Sequence, residues 1–150
     1  MERTLVIVKP DGVKRGLAGE IISRFEKRGL KITGLRMTWL SEERAEQLYA
    51  PHKGKVFYQG LVDFMTSGPV VAIAVEGRSA IQIVRNMIGA LKPEEAMPGS
   101  IRGDYSMDIR YNTIHGSDSP ESAERELAVF FDDNEFLEYQ TCDEEVLYSE

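Results

Sequence analysis

Two histidines and one cysteine are all that these 150 residues hold of the side chains that most often ligate metals or act as nucleophiles near neutral pH. A lone Cys142 rules out an internal disulfide, and one thiol with two imidazoles falls short of the four ligands of a closed zinc site. Long apolar runs are missing as well. None approaches the roughly 20 residues of a membrane-spanning helix, and the opening MERTLVIVKP turns polar too soon for a signal peptide. Positive charge is in deficit, 18 Lys and Arg against 25 Asp and Glu, for a net charge of −7. That argues against a general polyanion binder, whose affinity rests on surplus cations, but leaves room for a small anion in a local basic pocket. Neither a GxxxxGK[ST] phosphate loop nor a GxGxxG after a strand is present, so any nucleotide must be held by side chains. Kinase catalytic-loop and metal-dyad signatures are missing too. These absences predict a cytoplasmic protein with no membrane span.

What is there reads as an ordinary globular chain. Hydrophobic residues make up 42% and charged residues 29%, and the length fits one domain over residues 1–150. No repeat or linker interrupts it. Residues 3–9, RTLVIVK, form an unbroken β-branched run, the mark of a strand buried on both faces, stopped by Pro10, Asp11 and Gly12. Ile21, Ile22 and Phe25 recur at helical spacing over residues 19–28, with Gly29 suited to a left-handed C-terminus. The next strand alternates through Leu30 and Ile32, then resumes out of phase at Leu35, Met37 and Trp39, which predicts a β-bulge at Gly34. Ser41 opens a helix to about Tyr49, and a short helix is expected near residues 61–65. Residues 69–77, PVVAIAVEG, predict a second wholly apolar strand. Ser79 then caps a helix turning Ile83, Met87 and Ile88 to the core.

Residues 89–111 lose the pattern, punctuated by Pro93, Pro98, Gly99 and Gly103; a loop that long in a compact domain usually serves function. A short strand at TIH follows, then Ser119 and Pro120 start a helix that ends near Asp132. The element order predicts a small α+β sandwich, one sheet with helices on a face. Because two strands are apolar on both sides, the other sheet face needs cover from long loops or another subunit, which predicts a homo-oligomer.

His115 stands in NTIHGSD, before a glycine that permits close backbone approach. On the helix that follows, Ala123, Leu127, Phe130 and Phe131 form an apolar stripe with Glu126 on its inner border, where a carboxylate can orient a neighbouring imidazole. Taken alone, the pair is more often a satisfied core histidine near a surface glutamate. Lys9 at a buried strand end, Arg85 on a helix and Arg102 in the long segment are the cations placed to frame a cleft, though any one of them can be an ordinary surface charge. The RGD triplet at Arg102, Gly103 and Asp104 is a coincidence in a chain of this composition.

Four long segments, VIVKPDGVKRGLAGEII, MTSGPVVAIAVEG, PGSIRGDY and NTIHGSDSPESAERE, closely resemble the nucleoside diphosphate kinases in sequence, order and spacing. The resemblance implies a ferredoxin-like α/β sandwich with a four-stranded antiparallel sheet. It also implies ping-pong transfer of a γ-phosphate from a nucleoside triphosphate to a nucleoside diphosphate through a phosphohistidine. By position, His115 matches the nucleophile and Glu126 its orienting acid, with Ser117 supporting the glutamate. Lys9 and Asn112 match the ribose-binding residues, Arg85 and Arg102 the phosphate clamps, Tyr49 the tyrosine beside phosphate and histidine, and Phe57 the ring stacked on the base. Mg²⁺ is implied as a passenger on the nucleotide phosphates, with Nδ1 as the family's attacking nitrogen. The tail EEVLYSE resembles that of hexameric members, so a hexamer is favoured over a tetramer. Two positions depart from the family pattern: Leu91 replaces a phosphate-contacting threonine, and Arg110 stands where glycine is common. A reading from a different class is a non-catalytic nucleotide or single-stranded nucleic-acid binding module on the same sandwich.

Overall fold

The computed structural model describes residues 1–149; only Glu150, the end of the EEVLYSE tail, lies outside them. Strand β1 (Glu2–Val8) leads through α1 (Pro10–Lys14) and α2 (Ala18–Arg28) to β2 (Lys31–Thr38). Helices α3 (Glu42–Leu48) and α4 (Tyr58–Met65) precede β3 (Val70–Gly77). Then come α5 (Ala80–Ile88), α6 (Ile101–Tyr105), β4 (Ile114–Gly116), α7 (Pro120–Phe130) and α8 (Glu144–Leu147). The strands form a four-stranded antiparallel sheet in the order β2-β3-β1-β4, the architecture expected from the resemblance.

Local chemistry accounts for most boundaries. Gly29 ends α2 at φ 98°, and the register slips between Ile32 and Gly34, placing the bulge where the hydrophobic phase changes. Ser41 and Ser119 cap α3 and α7 by accepting from the N–H groups of Arg44 and Ser122, and Pro120 occupies the first turn. Ser79 departs from expectation: it precedes α5 in a left-handed conformation and makes no side-chain cap. The buried face of α5 is Ala80, Ile81, Val84 and Ile88, with Ile83 and Met87 only half-buried, because the helix is rotated from the expected phase. Three helices were not legible in the sequence: Pro10, read as a strand stop, also starts α1, α6 lies inside the 89–111 segment, and the four-residue α8 lies in the tail, where no helix was expected.

The core corrects the expectation about the second sheet face. Alternate residues of β1 enter different layers: Leu5 and Ile7 join residues of α3, α4 and α7, whereas Val6 and Val8 join residues of α2, α5 and α6. Both faces are therefore covered by the chain's own helices, and β1 needs no second subunit to be buried. Apolar side chains remain exposed on the outer strand instead, at Leu35 and Met37 of β2 and Trp39 just beyond it.

Candidate active site

Strand alternation places His115. On β4, Ile114 enters the layer of α2, α5 and α6, so His115 turns to the opposite side, where Tyr49 and the α7 residues lie. Opposite His115 in the ladder stands Ile7. Gly116 completes the strand because a Cβ there would lie 2.6 Å from Ile88 Cδ1; its absence lets α5 close on the strand. That approach brings the Arg85 guanidinium to within 3.3 Å of the Gly116 carbonyl, which accepts from it.

The imidazole is partly open, with 22% of its side chain exposed, while Glu126 on α7 is 5% exposed. His115 Nε2–H donates to Glu126 Oε1. A buried carboxylate needs such a partner, and the bond fixes the tautomer that leaves Nδ1 with a free lone pair. Arg125 lies 3.8 Å from the other Glu126 oxygen and donates to the Gln47 and Leu48 carbonyls, tying α7 to the end of α3, just before Tyr49. The Tyr49 ring meets His115 edge-on at 6.5 Å. Burial, then the Glu126 charge, pushes the Tyr49 phenol up, so it stays a neutral donor. Its hydroxyl and that of Ser117 are buried with no hydrogen-bond partner among the described residues. Ser117 therefore does not bond to Glu126 as the resemblance implied; its hydroxyl stays free.

The cations converge on the same strand end. Lys9 Nζ donates to Asn112 Oδ1 at 2.7 Å. Arg102, 4% exposed, donates to the carbonyls of Ile114 at 2.8 Å, Gly89 at 3.3 Å and Asn112 at 3.4 Å. Burial and the neighbouring Arg85 lower its pKa to about 10. Burial and the Arg102 charge lower Lys9 to about 8, against the opposing pull of Asp11. Both shifts have the same meaning: cations held out of water with too little negative charge nearby, a site that favours an incoming anion.

Phe57 stands half-exposed, its ring 5.4 Å from His52, which in turn lies 6.3 Å from Tyr49. Lys55 Nζ sits 3.2 Å from His52 Nδ1. His52, one of only two histidines, nine residues before the helix expected at 61–65 and close to Phe57, carried a usable sequence signal that the motif pattern does not include. Leu91 is exposed and is not among the side chains gathered here. Arg110 is also exposed, and its φ is not positive; the Asp108 carboxylate accepts its N–H at 2.7 Å, so the turn tolerates a residue other than glycine. Asn112 and Ile114 flank the strained point of the site. Ile114 N–H donates to the Asn112 carbonyl two residues back, closing a γ-turn at Thr113 with φ 74°, a conformation that costs a β-branched residue on the order of 1–3 kcal/mol.

Comparison with known proteins agrees with this geometry. The family model described as nucleoside diphosphate kinase matches residues 2–136. A nucleoside diphosphate kinase of Archaeoglobus fulgidus is 54% identical over 150 residues, spanning 100% of this chain and 99% of its own. One from Pyrococcus furiosus is 58% identical over 142 residues, 93% of this chain and 88% of its own. A solved structure of a halophilic nucleoside diphosphate kinase from Halobacterium salinarum, in complex with CDP, superposes with a TM-score of 0.95 at 47% identity, covering 99% of each chain.

Proposed function

Since the chain belongs to the nucleoside diphosphate kinase family, we propose that it moves the γ-phosphate of a nucleoside triphosphate, typically ATP, to a nucleoside diphosphate and so balances the cell's nucleotide pools. The observation that carries the reading is a single one: a partly open imidazole, backed by a buried carboxylate, beside buried cations with too little negative charge around them.

The chemistry follows from that arrangement. His115 Nδ1 attacks the γ-phosphorus in line; an N–P bond forms, the bond to the β-phosphate oxygen breaks, and the diphosphate leaves with the electron pair. Glu126 holds the Nε2 proton and stabilises the positive charge that develops on the ring. Phosphoryl transfer depends on placement and charge neutralisation. Arg85 and Arg102 clamp phosphate oxygens, Tyr49 and Ser117 offer their unpaired hydroxyls, and Lys9 with Asn112 holds the ribose. Phe57 stacks on the base, a contact indifferent to base identity. Leu91 leaves one hydroxyl contact unmade, with Lys92 beside it. Mg²⁺, where present, would come with the nucleotide phosphates and supply further neutralisation of their charge, while Lys9, Arg85 and Arg102 of this chain are suited to the phosphates rather than to the metal. A second nucleotide then accepts the phosphate in the reverse sequence.

The same reading takes the chain to be a single domain, cytoplasmic, with no helix among the described residues long and apolar enough to cross a membrane. It also takes it to self-associate, the exposed Leu35, Met37 and Trp39 supporting a subunit contact, with a hexamer favoured over a tetramer on the tail sequence. A purely binding role is not favoured, because the paired His115 and Glu126 have no use in it. The test is to mix the protein with γ-labelled ATP, remove nucleotide and examine the chain for acid-labile, base-stable label. Label in the unmodified chain and none in His115→Ala supports the reading; an unlabelled native chain overturns it.

A further inference from the structure

We propose that Asp11 is a positioning residue for phosphoryl transfer: its carboxylate holds the strained turn at Thr113, and through that turn fixes Lys9, Arg102 and His115 relative to one another. This rests on the function proposed above.

Asp11 lies in the first turn of α1, directly after β1 and Lys9. Its Oδ2 accepts the Thr113 N–H at 3.0 Å. In return the Thr113 carbonyl accepts from Lys9 N–H at 2.9 Å, so the two segments clasp each other. Thr113 is fully buried, and its hydroxyl pairs with Ser106 at 2.7 Å. Without Asp11 its N–H would be buried and unpaired, and nothing would repay the positive φ.

Relaxation of that turn would not stay local. The peptide planes on either side of Thr113 carry the Asn112 and Thr113 carbonyls, and the next carries that of Ile114. Arg102 depends on the first and last of these, and Lys9 N–H on the middle one. The Asn112 side chain that receives Lys9 Nζ begins at the same hinge, and His115 follows two residues on. A simple charge partnership with Lys9 does not describe Asp11: the Lys9 ammonium bonds to Asn112, and the second Asp11 oxygen, Oδ1, is buried with no hydrogen-bond partner among the described residues. Gly12 completes the clasp, since a Cβ there would lie 2.9 Å from the Thr113 carbonyl oxygen.

Four variants of the full chain test this: Asp11→Ala, Asp11→Asn, Thr113→Gly and the double variant Asp11→Ala with Thr113→Gly. Each is measured for the rate of label transfer from γ-labelled ATP to the protein, for kcat/KM of exchange and for thermal midpoint. Misplacing reacting groups by about an ångström costs up to about 100-fold, so Asp11→Ala is expected to lose roughly 10- to 100-fold in transfer rate. Asp11→Asn keeps a neutral acceptor and is expected to stay within about threefold of the parent. Glycine takes a positive φ freely, so in the Thr113→Gly background the Asp11→Ala penalty shrinks to about threefold or less. The proposal is overturned if Asp11→Ala lowers only the melting temperature, if Asp11→Asn is as slow as Asp11→Ala, or if glycine at 113 leaves the penalty intact. Should Asp11→Ala alone fail to fold, Asp11→Asn and the double variant still decide. Failure of the unmodified chain to take label would sink the function itself; normal labelling with any of the contrary patterns sinks only the role of Asp11.

Discussion

Replacing Lys9 with methionine separates what this residue costs the fold from what it gives the site. Lys9 is 6% exposed and its pKa falls from 10.5 to about 8. Below pH 8 the ammonium is charged in both states, and the folded chain bears the cost of burying it. Between pH 8 and 10.5 the folded chain gives up this proton while the unfolded chain keeps it, so the unfolded state binds more protons and stability rises with pH. At about 1.4 kcal/mol per pKa unit, the swing is on the order of 3 kcal/mol. Methionine preserves the stem without the charge but leaves Asn112 Oδ1 without its donor, a loss of about 1–3 kcal/mol. At pH 7 the two terms oppose each other, and the variant should lie within about 2 kcal/mol of the parent in either direction. Raising the pH to 10 removes most of the relief and should shift the difference by about 2.5 kcal/mol in favour of the parent. Urea denaturation of both chains at the two pH values measures this, other titrations cancelling in the difference. A difference that does not move with pH would refute the claim that a buried, poorly compensated ammonium sits at this position. Exchange activity should be nearly lost in the variant at either pH.

The other expectations are more direct. Glu126→Ala should slow phosphorylation of His115 by about 10- to 150-fold, the equivalent of a charged hydrogen bond worth about 1.5–3 kcal/mol; rapid-quench measurement of label on the protein reads it, and an unchanged rate would remove the glutamate from the mechanism. Gly103→Ala should unseat Arg102, because the new Cβ would lie 2.0 Å from the Met97 carbonyl oxygen. The expected result is a raised KM for nucleotide together with about 1–3 kcal/mol of lost stability. Phe57→Ala should raise KM about tenfold for purine and pyrimidine nucleotides alike while sparing kcat, since stacking is worth about 1–3 kcal/mol per base; selective loss for one base would contradict the role given to the ring.

Sequence patterns revealed those parts of the fold that a single periodicity decides. The β-branched runs of β1 and β3, the bulge at Gly34 and the serine caps of α3 and α7 were all readable, because each depends on neighbours in the chain. The second helical layer was harder. Two-sided apolarity in β1 said that both faces are buried, and could not say that α2, α5 and α6 supply the cover, since that depends on how the helices cross over the sheet. Helix α6 escaped notice because its five residues are too few for a period, and Ser100, its capping serine, lies amid prolines and glycines. At the site, the resemblance named the side chains proposed to touch substrate, but the support it implied differs from the structure: Ser117 makes no bond to Glu126, and Arg125 lies 3.8 Å from the glutamate's second oxygen. Asp11 and the positive φ of Thr113 leave no trace in composition or spacing. They become visible only when residues 102 positions apart meet.

His115, the proposed nucleophile, hangs from a strand of three residues, flanked by Ile114 and Gly116. Such a short ladder has little adhesion of its own with which to resist slipping by one position, a slip that would turn the imidazole to the wrong side. Gly116 acts as the stop, because the space beneath Ile88 admits no side chain there. Lengthening or trimming the chain between Asn112 and Gly116 by a single residue should therefore silence the protein, whereas loops elsewhere have room to drift in length.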